Sequence, residues 1–148
     1  MNAFKTLDKV IRVLSVEILD NTGGNGNGRL DYGETADLLV TLKNTYQTVS
    51  GVNATINSLD ALLTATDSIS FYGSMSLGGV SNNAGDLFTV TVGNDTGISA
   101  AALRITINAD GGYQYRKELQ LPVGVRDILI VNDDQTGGAS KISYYTEP

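Results

Sequence analysis

The chain has 148 residues, of which 41% are hydrophobic, and this is enough for one domain with a substantial core. Sixteen acidic and ten basic side chains give a formal charge of −6, whereas nucleic acids and anionic membranes bind surfaces rich in Lys and Arg. Cys and His are both absent, which excludes disulfides, thiolate zinc sites and Ser-His-Asp or Cys-based catalysis within the chain. We therefore predict a protein that is not itself an enzyme, has no nucleic-acid partner and, lacking a run of about eighteen apolar residues, has no membrane span.

In the first half of the chain, apolar and polar residues alternate with a period of two, which is typical of strands with one buried face. Residues 36–44 and 52–57 are clear segments of this kind, and residues 10–19 are predicted to form the first strand. A less regular strand is expected to contain Ile69, Phe71 and Tyr72, and another to contain Met75 and Leu77. Residues 58–67, which precede these two, are predicted to be a loop.

The second half continues the alternation over residues 88–92 and 103–109, and a further strand is predicted over residues 113–121. Asp110-Gly111-Gly112 separates the last two segments and is a strong hairpin signal. Alternating strands joined by turns favour antiparallel sheets, each with one buried face. The predicted fold is therefore all-β: an antiparallel Ig-like β-sandwich of about seven to eight strands.

The two ends of the chain depart from this pattern. We assign residues 1–9 to an N-terminal extension and residues 10–125 to the sandwich. In residues 126–148, a continuous apolar run is followed by an acidic, glycine-rich loop. Two interpretations stay open for this stretch: a last sandwich strand plus a tail, or the truncated start of a following α/β domain.

The segment from Asp20 to Glu34 carries the one motif with a defined chemistry. A twelve-residue calcium-binding loop laid over residues 23–34 places the glycine turn at Gly28 and the bidentate carboxylate at Glu34. Calcium prefers oxygen ligands, and this spacing supplies them from one wrapped loop. The predicted calcium ligands, with Arg29 acting through its backbone carbonyl, are Asp20, Asn25, Asn27, Arg29, Asp31 and Glu34.

The first position of this loop is Gly23, where an Asp is expected. Asp20 lies three residues earlier and replaces it if the intervening residues bulge outward. The alternative is a glycine-rich connection whose Asn and Asp side chains only cap their own turns. Because amides replace two carboxylates, calcium affinity is expected near the extracellular range, with Kd of about 10⁻⁴–10⁻³ M. Without a pair of flanking helices, such a site would be structural rather than a switch.

Tyr113 and Tyr115 lie two residues apart and therefore share one face of a predicted strand. Exposed tyrosines in this arrangement can stack on a glycan or a peptide, so both are candidate ligand-binding residues. Packing in the core or at a sheet edge is the alternative.

Several stretches together resemble a known class of module. Residues 25–44 (NGNGRLDYGETADLLVTLKN) are similar to the opening of CARDB-like, cell-adhesion-related Ig-like domains of large secreted bacterial proteins. Residues 71–79 (FYGSMSLGG) and 86–90 (DLFTV) resemble the middle section of these modules. Residues 128–134 (ILIVNDD) are similar to the segment that opens the next domain in such proteins. The departures are Tyr32 at a usual Pro and Tyr46 at a usual Gly.

The resemblance implies a secreted or cell-surface accessory module that spaces, stabilises or tethers a partner. Such modules often accompany subtilisin-like or gingipain-like peptidases. The partners would be neighbouring domains of the same polypeptide, with a glycan or protein surface as a further possibility. A fragment of a secreted peptidase whose catalytic residues lie outside this chain remains the alternative.

Overall fold

The computed structural model describes residues 9–94 and 100–124, together with the strand backbone of residues 128–131 and 142–145. In these parts of the chain the regular secondary structure consists of β-strands. They contain no helix that is long and apolar enough to cross a membrane. In chain order the strands are β1 (Ile11–Leu19), β2 (Thr35–Asn44), β3 (Val49–Ser58), β4 (Leu63–Asp67), β5 (Ile69–Met75), β6 (Val80–Asn82), β7 (Phe88–Val92), β8 (Ala100–Ala109), β9 (Tyr113–Pro122), β10 (Ile128–Val131) and β11 (Ile142–Tyr145).

Nine of these strands form two antiparallel sheets. The first has the order β1-β2-β7-β4, with β6 also pairing with β2, and the second has the order β5-β3-β8-β9. This is the arrangement of an Ig-like sandwich, in which strands A, B, E and D form one sheet and C, F and G the other. The predicted all-β, Ig-like sandwich is therefore confirmed.

The core lies between the two sheets and follows from the alternation in the sequence. In β2 and β8, every second side chain is buried, from Ala36 to Asn44 and from Ala101 to Ala109. The same periodicity buries Phe88, Val90 and Val92 in β7. Full burial of one Leu, Ile or Phe side chain contributes roughly 1.5–3 kcal/mol, so this alternation is the main source of stability.

Two local predictions need correction. Residues 58–67 were expected to be a loop, but β4 begins at Leu63 and pairs with β7. A strand of five residues is too short to establish a period in the sequence, and its pairing partner lies far along the chain. Leu77 does not lie in a strand with Met75: Met75 ends β5, and Leu77 is 62% exposed in the turn before β6.

The ladder along β2 is interrupted where its partner changes from β6 to β7. At this point the Val40 N–H donates to Asn83 Oδ1 at 2.7 Å. The Tyr72 hydroxyl, which comes from the other sheet, donates to the Val40 carbonyl at 3.1 Å. Asn83 Nδ2 also donates to the Leu38 carbonyl at 3.2 Å. Side chains therefore satisfy the backbone at this interruption, which we call the Val40 gap (Leu38, Val40, Tyr72 and Asn83).

β10 and β11 form a separate two-stranded antiparallel sheet, with Ile128 opposite Tyr145 and Val131 opposite Ile142. Both interpretations of residues 126–148 therefore stay open. The predicted N-terminal extension, residues 1–9, falls outside the described residues except for Lys9.

Candidate functional site

Residues 20–34 connect β1 to β2 as a single loop, which we call the acidic loop. Its base is closed by the Thr35 N–H, which donates to the Gly23 carbonyl at 3.1 Å. Leu30, in the middle of the loop, is fully buried in the core between the sheets. The loop therefore belongs to the packed domain even though it has no regular structure.

Asp20, the first residue of the loop, bonds to the turn in its middle. Its side chain is only 2% exposed, and its two oxygens accept the N–H groups of Asn27 at 3.1 Å and Gly28 at 2.9 Å. Gly28 has a φ of 80°, a conformation that strongly favours glycine and supplies the turn predicted at this position. Asp20 is thus held against the turn at Gly28, and its role as the substitute for the missing first ligand stays a prediction.

Gly23 itself has no room for a side chain. A Cβ atom there would lie 2.5 Å from the Thr35 carbonyl oxygen, because the two residues meet at the base of the loop. At Gly24 an added Cβ would meet only the end of the Glu34 side chain, which is a weaker restriction than the backbone contact at Gly23. Backbone contact therefore explains why the aligned first position carries no side chain.

Asn25 and Asn27 connect the three carboxylates of the loop. The backbone N–H of Asn25 donates to Glu34 Oε1 at 2.8 Å, and its side-chain Nδ2 donates to Asp31 Oδ2 at 2.8 Å. Asn27, whose backbone N–H bonds to Asp20, donates its Nδ2 to Asp31 Oδ2 at 2.9 Å. A continuous path of hydrogen bonds therefore runs from Asp20 through Asp31 to Glu34.

One oxygen of this network has no partner. Asp31 is 9% exposed, and its Oδ1 atom is buried without any hydrogen bond. The other oxygen of the same carboxylate accepts both Asn amides, so Oδ1 lies at the same network. In the described part of the chain, Oδ1 is the buried side-chain nitrogen or oxygen atom left unpaired. Because burial of an unpaired charged oxygen is costly, this atom needs a physical explanation.

The remaining predicted ligand is Arg29. Its backbone N–H donates to Asn27 Oδ1 at 2.9 Å, so the residue belongs to the same turn. Over the described residues, no group of three or more Asp or Glu side chains stands in an arrangement that could hold a metal ion. Carboxylates alone therefore do not form a cage, and a cation here would also need the amide and carbonyl oxygens.

The acidic loop also holds the ends of two strands in different sheets. Leu30 pairs in parallel with Val123, just after β9, and the Gly124 N–H donates to the Leu30 carbonyl at 2.8 Å. Gly33 donates its N–H to the carbonyls of Val92 and Gly93 at the end of β7. We call these contacts the clasp. No local pattern indicated the clasp, because residues 123–124 are distant along the chain and carry no motif.

Tyr113 and Tyr115 lie on the inward face of β9, and both are half-buried against the core. The Tyr113 hydroxyl accepts the Ile11 N–H at 2.7 Å, and its ring lies 4.7 Å from that of Tyr46. Burial raises the pKa of Tyr113 above its ordinary value. Tyr113 is therefore engaged in joining β9 to β1, and ligand binding by this pair stays a prediction.

Comparison with known proteins finds a similar solved structure but no family. No family model matches the chain, and no curated protein is significantly similar to it. One similar solved structure is an ASH/PapD-like domain of human CEP192, its PapD-like domain 7. The identity is 12%, the TM-score is 0.45, and the match covers 84% of this chain and 92% of that chain. A likeness of this size assigns neither a family nor a function.

Proposed function

We propose that the chain is a non-catalytic accessory β-sandwich module of a secreted or cell-surface bacterial protein. Its acidic loop, residues 20–34, binds one structural calcium ion. The observation that carries the calcium proposal is the buried, unpaired Oδ1 of Asp31 within a network of three carboxylates. The support for the accessory role is the resemblance of residues 25–44 to CARDB-like modules and the absence of His and Cys.

Calcium is the cation whose chemistry fits this loop best. It takes six to eight oxygen ligands in flexible geometry, and carboxylate, amide and backbone carbonyl oxygens all serve. Magnesium demands a nearly ideal octahedron and keeps much of its water, which suits an irregular loop less well. Transition metals prefer the imidazole or thiolate ligands that this chain lacks.

The loop has spare lone pairs for such an ion. Asn25 Oδ1 accepts the Asn27 N–H at 3.0 Å, and Asn27 Oδ1 accepts the Arg29 N–H. Each amide oxygen has two lone pairs and so retains one. Together with Asp20, Asp31, Glu34 and the Arg29 carbonyl, these atoms supply a sufficient donor set once the Asn Nδ2 groups turn away from Asp31.

The calcium proposal is tested by the stability of the protein. With a Kd of about 10⁻⁴–10⁻³ M, 10 mM calcium should raise the free energy of unfolding by about 1.4–2.7 kcal/mol. Urea denaturation in calcium and in chelator, at equal ionic strength, measures this difference. Asp31→Asn should abolish it, and the matched control Asp67→Asn, on the exposed end of β4, should retain it.

Two outcomes would contradict the calcium proposal. One is an unfolding free energy of the unsubstituted protein that does not respond to 10 mM calcium. The other is an equal response in Asp31→Asn, which would place the binding elsewhere on the acidic surface. Magnesium at the same concentration is the ionic control and should give a smaller response.

The accessory role has its own test. The gene that encodes the chain should also encode neighbouring domains, and a secretion signal should precede them. A peptidase domain in the same reading frame would identify the catalytic partner that the resemblance implies. A chain encoded alone and retained in the cytoplasm would overturn this part of the proposal.

A further inference from the structure

The acidic loop does more than hold ligands, because the same fifteen residues form the clasp between the two sheets. Asp31, whose Oδ1 is unpaired, directly follows Leu30, and Leu30 is fully buried and bridges to Val123. The Leu30 carbonyl accepts the Gly124 N–H at 2.8 Å. The end of β9 is therefore attached to the residue next to the unpaired carboxylate.

A second connection runs through Glu34. Its carboxylate accepts the N–H groups of Asn25 and Asp31, while its backbone carbonyl accepts the Val92 N–H at 2.8 Å. Val92 ends β7 in the first sheet, and Val123 follows β9 in the second. Glu34, a predicted ligand, thus contacts the first sheet, and Leu30, which precedes the predicted ligand Asp31, contacts the end of the second sheet.

We propose that calcium occupancy of the acidic loop controls the clasp, so that bound calcium holds Val123 and Gly124 against Leu30 and loss of calcium releases them. This inference rests on the proposed function and extends it, because a site expected from the sequence to be only structural would also control a contact between the loop and the end of β9. The regulated element is residues 123–124, which directly follow β9 and which we call the exit.

Physical reasoning supports a coupling of this kind. The acidic loop has no helix or strand to keep its shape, and its internal hydrogen bonds are mostly made to side chains. An ion bound by Asp20, Asp31 and Glu34 holds these residues at fixed positions relative to one another. It thereby also fixes Leu30, which directly precedes Asp31 in the sequence. Coupling between two sites is reciprocal. If bound calcium favours the closed clasp by a given factor, opening the clasp must weaken calcium binding by that same factor.

Gly124 offers a clean way to disrupt the exit without touching a ligand. Its φ is 85°, and an added Cβ would overlap with the hydroxyl of Tyr32, which packs against it. Gly111, in the β8–β9 turn, has the same φ of 85° but nothing within 4 Å of an added Cβ. Gly124→Ala and Gly111→Ala therefore impose the same backbone strain, and they differ in the collision with the acidic loop.

Calorimetric titration with calcium compares the two variants and the unsubstituted chain. We expect Gly124→Ala to bind calcium about fivefold more weakly or worse, in the usual range of coupling between sites, and Gly111→Ala to bind with unchanged affinity. Circular dichroism melting establishes that each variant folds. No binding by the unsubstituted chain would overturn the proposed function and this inference together. Binding with equal affinities in the two variants would leave the calcium site standing and overturn only the coupling.

Amide hydrogen exchange on the unsubstituted chain gives a second measurement that needs no substitution. Calcium should slow exchange of the Gly124 and Gly33 N–H groups, which make the clasp, at least tenfold more than it slows exchange at Asp110. The Asp110 N–H donates to the Ser50 carbonyl at 3.0 Å near the β8–β9 turn and reports on the sandwich away from the clasp. Equal slowing at all three amides would overturn the coupling.

Discussion

The Val40 gap and the acidic loop both bury polar side chains where the backbone is irregular, but they differ in how completely those groups are paired. At the Val40 gap, Asn83 is 1% exposed; its Oδ1 accepts one N–H, and its Nδ2 bonds to Leu38, Ser70 and Asp86. In the acidic loop, Asp31 is buried to a similar degree, yet Oδ1 accepts nothing.

The chemistry of the two side chains explains the difference. A neutral amide has one donor and one acceptor group, like a peptide unit, so Asn83 can replace a missing rung of the ladder. A carboxylate offers only acceptors, and the surrounding loop does not supply enough N–H groups to satisfy three of them. The contrast is that the Val40 gap is complete by itself, whereas the acidic loop leaves one buried carboxylate oxygen unpaired, and it is there that we propose the cation binds.

The largest expected effect is at the Val40 gap, where the buried polar groups are fully paired. Asn83→Ala leaves the Val40 N–H and the Leu38 carbonyl unpaired in the core, and each buried unpaired group costs about 1–3 kcal/mol. We expect the free energy of unfolding from urea titration to fall by about 3 kcal/mol, independently of calcium. Asn82→Ala, at the exposed neighbouring position, is the control and should cost under about 1 kcal/mol. A loss that calcium restores would contradict the contrast between the regions.

At the acidic loop the sign should reverse. In chelator, Asp31→Asn removes a buried, partly unpaired charge, so the free energy of unfolding should rise by about 1 kcal/mol. In 10 mM calcium the unsubstituted protein should be the more stable of the two. Denaturation curves under both conditions give the crossing. If the variant were less stable than the unsubstituted protein in chelator, the unpaired Oδ1 of Asp31 would not be destabilising the folded protein.

The smallest effect concerns Tyr72 and depends on pH. Burial, with a smaller contribution from Asp86, raises the pKa of Tyr72 well above its ordinary value of 10.0. The folded protein therefore holds this proton more tightly than the unfolded chain, and the contribution present below pH 10 is lost as the pH rises further.

Tyr72→Phe should cost about 0.5–1 kcal/mol at neutral pH, because it removes the hydrogen bond to Val40. It should also flatten the fall in stability above pH 10, although the raised pKa of Tyr113 leaves part of that fall. Urea titrations between pH 8 and 11 measure both effects. Parallel pH profiles for the two proteins would show that Tyr72 is not the titrating group.

Much of the sandwich follows from local patterns. The alternation in residues 36–44 and 103–109 predicted strands β2 and β8. The Asp110-Gly111-Gly112 turn predicted β9 and its hairpin with β8. The short strands β4 and β6 escaped, because three to five residues do not define a period. β6 exists only because β2 offers it a partner over residues 41–43.

The acidic loop was predictable in composition but not in arrangement. The spacing of Asn25, Asn27, Gly28 and Glu34 indicated a calcium-type loop, and the wrong residue at position 23 was visible. That Asp20 bonds to the Gly28 N–H, and that Thr35 leaves Gly23 no room, are consequences of how the loop closes at its base.

The sequence alone determined the class of fold and the oxygen-rich chemistry of one loop, since strand periodicity, turn residues and ligand types are properties of short segments. The tertiary structure decided what is distant along the chain: the Asn83 side chain that fills the Val40 gap, the unpaired Oδ1 of Asp31, and the bridge from Leu30 to Val123. Burial and hydrogen-bond completion depend on every segment that packs around an atom, and no local pattern contains that information.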